Sequence, residues 1–435
     1  MSLNNVCADK NAARELVSII LAGGQGTRLF PLTQTRCKPA VGFGGRYRLI
    51  DIPLSNSLNS RIDNIYVISQ YFSSFLHQHI IETYPLDYTR DAKIHFISPE
   101  ETFHRKAWYK GTADAIRQNL DHLMKTPADY FLILSGDQLY NMDYLEMLQF
   151  AKKMHADIVI AALPVEEHLA RRMGVLKIDA SDKVIEFYEK PQESELLKGL
   201  QFPKIALAGH ALSRPDATHF LGSMGIYIFK REALFKLMQC EGDDFGRHLL
   251  PQEVKKGNTY AFVFRGYWED IGTIGSFYEA NLALTRRQNC INMYDEDYPI
   301  FTRPHNLPSP FIRDTHVRNS HISQGSVIEA QEIDNSIIGV RSCIKKGTVI
   351  RNSIVLGNLF YTPPRHQSPP LPENFSIGEN CLLDKVIIDE HTQIGNNVRL
   401  VNQNRLDTYD GKGIYIRDGV IVVTTGTVLP DHFVL

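Results

Sequence analysis

Cysteine is sparse and unpaired: positions 7, 37, 240, 290, 343 and 381 show no CxxC pair and no zinc-like grouping with histidine. This scatter excludes a disulfide framework and suits reduced thiols in a cytoplasm-like compartment. Cys7 reads as an ordinary thiol on a frayed terminus. No apolar run approaches the ~18 residues of a membrane helix. The opening MSLNNVCADKNAARELVS carries charge and no apolar core of signal-peptide length. A cytoplasmic location with no membrane partner is therefore expected. An excess of charge is missing too, with 47 basic against 49 acidic side chains and a net charge of -2. Phosphate-driven binding of nucleic acid calls for a basic excess or stripe, so nucleic acid is not an expected partner.

What the chain does have is length, apolar residues and two distinct textures. At 435 residues it exceeds one ordinary core, and two domains are expected, over 1–290 and 291–435. In the first part short apolar runs recur, VSIIL at 17–21, NIYVIS at 64–69, YFLILS at 130–135 and DIVIAAL at 157–163, with helical stretches such as TADAIRQNLDHLMK between them. Alternation of this kind predicts an α/β domain with a parallel sheet covered on both faces, binding ligands beyond the carboxyl ends of its strands. The second part repeats aliphatics six apart, at Ile338, Ile344 and Ile350, at Ile377 and Leu383, and at Ile388, Ile394 and Leu400. A six-residue period with glycine beside the aliphatic predicts a parallel β-helix, one short strand per face of a triangular coil. The five prolines of NLFYTPPRHQSPPLPE, 358–373, cannot join sheet ladders and must loop out. The exposed ends and faces of such a solenoid suit subunit contacts.

The stretch LAGGQGTRLFPLTQTRCKPAVGFGG, 21–45, follows the first apolar run. A Walker A loop needs a lysine that is not in place after Gly26, and a dinucleotide fingerprint needs a third glycine where Leu29 stands. What remains is a loop whose amides at Gly23, Gly24 and Gly26 can approach a nucleotide, with Arg28 and Lys38 near by. His77 and His79, two apart on a predicted helix, point to different sides and do not read as a shared metal site. Cys37 reads as a packing residue.

GGQGTRLFPLT, RCKPAVGFGGRYRLIDIPLSN, SQYFSSFLHQHI, WYKGTADAIRQNL, LSGDQLYNMDY, FYEKP, SMGIYIF, DDFGRHLLP and YWEDIGTI occur in this order. The set resembles the sugar nucleotide pyrophosphorylases, in its details the ADP-glucose pyrophosphorylase family, and the likeness spans nearly the whole chain. The resemblance implies a Rossmann-like, GT-A-like nucleotidyltransferase domain followed by a left-handed β-helix. It also implies joining of ATP to glucose 1-phosphate with release of pyrophosphate, for glycogen or starch-like synthesis. In-line attack on the α-phosphorus needs positioned cations and no covalent intermediate.

The residue roles follow from that resemblance. Arg28 would hold the departing phosphates and Lys38 follow the moving charge, while Asp137 and Asp270 would share Mg2+. Leu21, Ala22, Gly23, Gly24, Gly26 and Thr27 would line the nucleotide, together with Gln70, Tyr109, Gly111 and Thr112. A Trp108–Tyr109 pair is in general more often core packing. Gly174, Glu189, Lys190 and Ser223 would meet the sugar phosphate. A homotetramer and a small anionic effector are implied, with Arg36, Arg46 and Arg417 as candidate contacts. Thr35 stands where enteric-type enzymes carry an activator lysine, so fructose 1,6-bisphosphate is not carried over, and 3-phosphoglycerate or a similar anion is the effector hypothesis. The alternatives are a UTP or dTTP pyrophosphorylase, a silent regulatory subunit, and a β-helix acyltransferase using His316, His321 or His391.

Overall fold

The computed structural model describes residues 15–84, 92–99, 108–202, 218–287, 290–363 and 371–435. Cys7 and the centre of the proline-rich segment lie outside them. Leu16–Ala22 is buried save for Leu21, and it runs between Tyr130–Ser135 and Asn64–Ser69, parallel to both. Lys93–Ile97 extends this parallel block beyond Asn64–Ser69. Aliphatic and aromatic residues fill both faces of the central strands, as burial on two sides demands.

The remaining half of the nine-stranded sheet departs from the expected all-parallel arrangement. His219–Lys230 inserts beside Tyr130–Ser135 and runs antiparallel to it. Gly174–Ile178 pairs antiparallel with this long strand further along the same edge, at Leu221 and Gly222, and Ile158–Glu166 pairs antiparallel along the other edge. The run at 157–163 is thus a strand of the sheet but not a neighbour of the parallel block. A twelve-residue strand can serve three partners because Gly174–Ile178 and Tyr130–Ser135 divide one edge between them; the pairing with Ile158–Glu166 on the other edge is interrupted by a bulge between Ser223 and Tyr227, where Gly225 takes a φ of 71°. The sheet is mixed, and the domain is α/β.

The C-terminal part is a coil of three sheets with six, five and seven strands, parallel except for the hairpin that ends the third. Residues six apart fall on successive faces: Ile338 stacks on Val355, Ile344 on Ile377, and Ile350 on Leu383. All these side chains share one buried cluster, the axis of the coil. Ile344 pairs directly with Ile377, and the described residues of the proline-rich segment, 358–363 and 371–373, belong to no strand. A second excursion lies beyond Leu400: Tyr409–Asp410 and Ile414–Arg417 form an antiparallel hairpin that continues into Val420–Val423.

The two parts share a core. Helix Ile274–Arg286 is capped at Thr273 by a reciprocal bond with Ser276, and its Phe277 and Tyr278 are buried. Ile337, Ile354, Leu356, Ile387, Val420 and Val422 of the coil belong to the same apolar cluster as Leu16, Ile20 and Leu134 of the sheet. No helix among the described residues is long and apolar enough to cross a membrane.

Candidate active site

Three adjacent strands end on one edge of the parallel block. Leu21 pairs with Ser135 and Ala22 with Ser69, so the chain leaves the sheet at one level into the loop at Gly23, at Gln70 and at Asp137. A cleft of about 580 Å3 opens there, lined by Gly23, Gly24, Gly26, Arg28, Lys38 and Asp137 among others. Leu21, Ala22, Thr27, Gln70, Tyr109, Gly111, Thr112 and Glu189 also face it.

The loop is built around Gly26. Its φ of 64° favours glycine, and a Cβ there would lie 3.0 Å from Cβ of Lys38. Its carbonyl accepts a hydrogen bond of 2.9 Å from the Thr33 hydroxyl, closing the loop on itself. Lys38 opens the short turn Lys38–Ala40 and is 7 % exposed. Its ammonium lies 2.6 Å from Asp137 Oδ2 and 3.6 Å from Asp270 Oδ1. Asp270 reaches this point because Trp268–Asp270 pairs with Gln138–Tyr140, setting Asp270 opposite Gln138. Burial alone would discharge Lys38, but the carboxylates of Asp137 and Asp270 outweigh it and raise its pKa. Asp137 is held below its usual range in turn: Lys38, with a bond from the Ser135 hydroxyl, overcomes the cost of burial. Arg28 is exposed at the mouth, facing the Gly272 turn beside Asp270.

On the opposite wall the Tyr109 amide donates to Gln70 Oε1 at 2.7 Å, and the Asn119 amide group donates to the Tyr109 hydroxyl at 2.9 Å. Trp108 departs from the core-packing expectation: it is 57 % exposed and stacks flat on Tyr71 at 5.0 Å. A Cβ on Gly111 would sit 2.3 Å from the Asp243 carbonyl, which accepts from the amides of Ala113 and Asp114. The Thr112 hydroxyl donates to Asp244 at 3.3 Å.

The four residues expected at the sugar phosphate are not all on this cleft. Glu189 lines it, whereas Lys190 lines an adjoining hollow with Arg247 and Lys255. Lys190 adopts a φ of 51° and sets its ammonium 3.4 Å from Glu189 Oε1. Gly174 stands opposite Glu189 in the ladder, and a Cβ there would strike the Phe187 ring at 2.6 Å. Ser223 is buried behind the wall, accepting from the Gly225 amide at 3.3 Å. Burial pushes the Glu189 carboxyl up, and Lys190 only partly offsets it.

Sequence reasoning missed Arg172, whose guanidinium approaches the same Gly272 turn as Arg28, and Asp244, which faces the cleft. The DDFGRHLLP stretch contains Asp244, but nothing in its spacing assigns the residue a wall of the cleft. Cys37 is buried and its thiol is pushed up to about 11, chiefly by burial, as a packing residue requires. His77 meets the Ser69 hydroxyl and His79 meets Asp51, so the pair does diverge.

Residues 17–287 match the family described as Nucleotidyl transferase. The chain belongs to the nucleotidyl transferase family. Residues 305–434 match the GLGC left-handed parallel beta-helix domain, and the two together are the architecture of the ADP-glucose pyrophosphorylase family. The cleft at the carboxyl edge of the sheet lies within the segment matched to the nucleotidyl transferase family, and the coil beside it is matched to a left-handed β-helix.

A second cavity of about 710 Å3 lies between the lobes, lined by Arg36, Arg46, Arg303 and His305 among others. Arg36 reaches across to Asp389 at 3.0 Å, and Arg48 reaches to Glu390 at 3.1 Å. Burial would raise the Glu390 carboxyl, but Arg48, Arg36 and His391 bring it down to about 2. Arg36 Nη1 and Arg46 Nε are buried without a hydrogen bond. Arg417 does not join them. Its guanidinium donates to the Tyr409 carbonyl at 3.0 Å and pairs with Asp410, away from this cavity.

Proposed function

We propose that the chain is a glucose-1-phosphate adenylyltransferase, making ADP-glucose and pyrophosphate from ATP and α-D-glucose 1-phosphate for glycogen or starch-like synthesis. The observation that carries this reading is Lys38 held between Asp137 and Asp270 beside the Gly23–Arg28 loop. Motifs of the adenylyl branch and a β-helix of the GLGC kind support ATP as the nucleotide.

The sugar phosphate oxygen attacks the α-phosphorus as the bond to the β-phosphate breaks, and the pyrophosphate leaves with both electrons. Glycine amides of the loop pack against the triphosphate, and Arg28 takes the charge of the departing group with its planar fork. Lys38 follows charge between the phosphates. Lys190 offers a compact cation to the sugar phosphate, with Glu189 accepting from sugar hydroxyls.

Two carboxylates meeting at one cationic point fit Mg2+, and no group of three His, Cys, Asp or Glu side chains competes for a softer metal among the described residues. Asp137 and Asp270 would hold the ion, which keeps several waters and neutralises the pyrophosphate.

A small anionic effector such as 3-phosphoglycerate fits the cavity between the lobes. Burial lowers His305, and Arg341, Arg303, Arg46 and Arg48 push it further, to about 4, so several guanidinium groups face one hollow. A homotetramer built through the β-helix completes the reading. The acyltransferase alternative loses its buried histidine: His391 accepts from the Leu359 amide at 3.1 Å and stacks on Phe360. Pyrophosphate release from glucose 1-phosphate with ATP, UTP and dTTP, with and without glycolytic anions, tests the reading. ATP should dominate, and preference for UTP or dTTP would sink it.

A further inference from the structure

The hairpin of the β-helix touches both walls of the active-site mouth. Phe30 ends the short turn Thr27–Leu29 that carries Arg28. Its ring meets Tyr415 of the hairpin edge-on, with centroids 5.1 Å apart. The Arg417 guanidinium lies over both rings, 5.6 Å from each centre. Its nitrogens are fixed by Asp410 and by the carbonyls of Tyr409 and Ile416, so the flat cation is presented to Phe30 in one orientation.

Asp418, the next residue, reaches the other wall. Its Oδ2 accepts from the Gly275 amide at 2.8 Å, in the first turn of helix Ile274–Arg286 and just beyond the Asp270–Gly272 turn. That amide belongs to a helix start, where a carboxylate satisfies an otherwise unpaired donor and complements the dipole. The fit is close there, since a Cβ on Gly275 would stand 3.0 Å from the same oxygen.

We propose that Arg417, Tyr415 and Asp418 are positioning residues of the nucleotidyl transfer. Tyr415 and Arg417 steady the turn carrying Arg28 while Asp418, directly after them, steadies the helix start beside the turn carrying Asp270, so the β-helix sets the spacing between the leaving-group cation and the second carboxylate. The roles of Arg28 and Asp270 rest on the reaction proposed above; the strut itself rests on the contacts.

The test uses the full chain with Arg417→Ala, Arg417→Lys and Asp418→Ala. Hydrogen exchange is followed in peptides covering 23–34 and 268–276, alongside kcat and KM with whichever nucleotide the wild type prefers. In Arg417→Ala exchange in 23–34 should quicken several-fold. Its kcat should fall at least tenfold, since misplacement by ~1 Å costs on the order of 100-fold in rate. KM for glucose 1-phosphate should stay within about twofold, because uniform binding is not what the strut supplies. Arg417→Lys keeps a cation near the rings but loses the planar fork, and should recover only part of both effects. Asp418→Ala should quicken 268–276 in the same way. Unchanged exchange in both peptides overturns the strut, whatever the activity does. A wild type that prefers another nucleotide overturns the adenylyl reading instead and leaves the exchange result standing.

Discussion

Lys38 illustrates how a single side chain is set by its neighbours. Held 2.6 Å from Asp137 and nearly out of solvent, it stays charged, and each partner stabilises the other's ionised form. Lys38→Ala and Asp137→Asn should each lower kcat at least a thousandfold while circular dichroism and the elution volume stay native, consistent with terms of a few kcal/mol for a charge at the reacting phosphates. Near-native kcat in Asp137→Asn would remove the carboxylate from the mechanism. Lys190 sits on the adjoining hollow and should behave differently. Lys190→Ala should raise KM for glucose 1-phosphate about tenfold or more with little loss of kcat, the signature of lost binding. Asp137 was legible because it follows an apolar strand directly, and Lys38 because it belongs to an ordered motif shared with the family the sequence resembles. Arg172 was not, because its only distinction is a spatial approach to Gly272 from a remote loop.

Among the elements, the six-residue aliphatic period was read directly, since each repeat carries its own strand and its own buried residue. The parallel block was legible for the same reason: each continuous apolar run is buried on both faces. The reversed strand His219–Lys230 was not, because an apolar run has no direction written in it and pairing order depends on the whole sheet. Helix Thr112–Gln118 offers a test of how tightly elements are fitted around the cleft. The extended backbone at Gly111 tolerates any residue, but the Asp243 carbonyl occupies the space a methyl would need. Gly111→Ala should lower stability by about 1–3 kcal/mol through overpacking, and it should raise KM for the nucleotide. Chemical denaturation and steady-state kinetics check the two parts separately.

Over the whole molecule, charge is what crosses between the lobes most conspicuously. Arg36 is buried with Asp389 from a segment more than three hundred residues away, and such a pair cannot be read from spacing. Removing one partner leaves a buried charge without compensation. Arg36→Ala should therefore cost about 3–5 kcal/mol, visible as a fall in Tm. The same hollow gives stability a pH dependence. His305 is neutral in the fold down to about 4, whereas the unfolded imidazole takes up its proton near 6.5. Its contribution is thus intact above about pH 6.5 and is lost progressively as pH falls towards 4. Between pH 7.5 and 5 the Tm of His305→Gln should drop less than that of the wild type, and a bound anion should narrow the difference.

Helix Ile274–Arg286 is the last element of one lobe in sequence and the first layer of the other in space. Domain exchange between relatives is constrained by that double membership. A graft cut after Arg286 would seat a foreign coil on a helix whose Phe277 and Tyr278 were shaped for Ile354 and Leu356. A cut before Thr273 would carry helix and coil together but sever them from Asp270. Recombinants should therefore survive only when the helix travels with its solenoid and the WED strand is matched to the lobe it leaves, so the helix and the coil are exchanged as one unit.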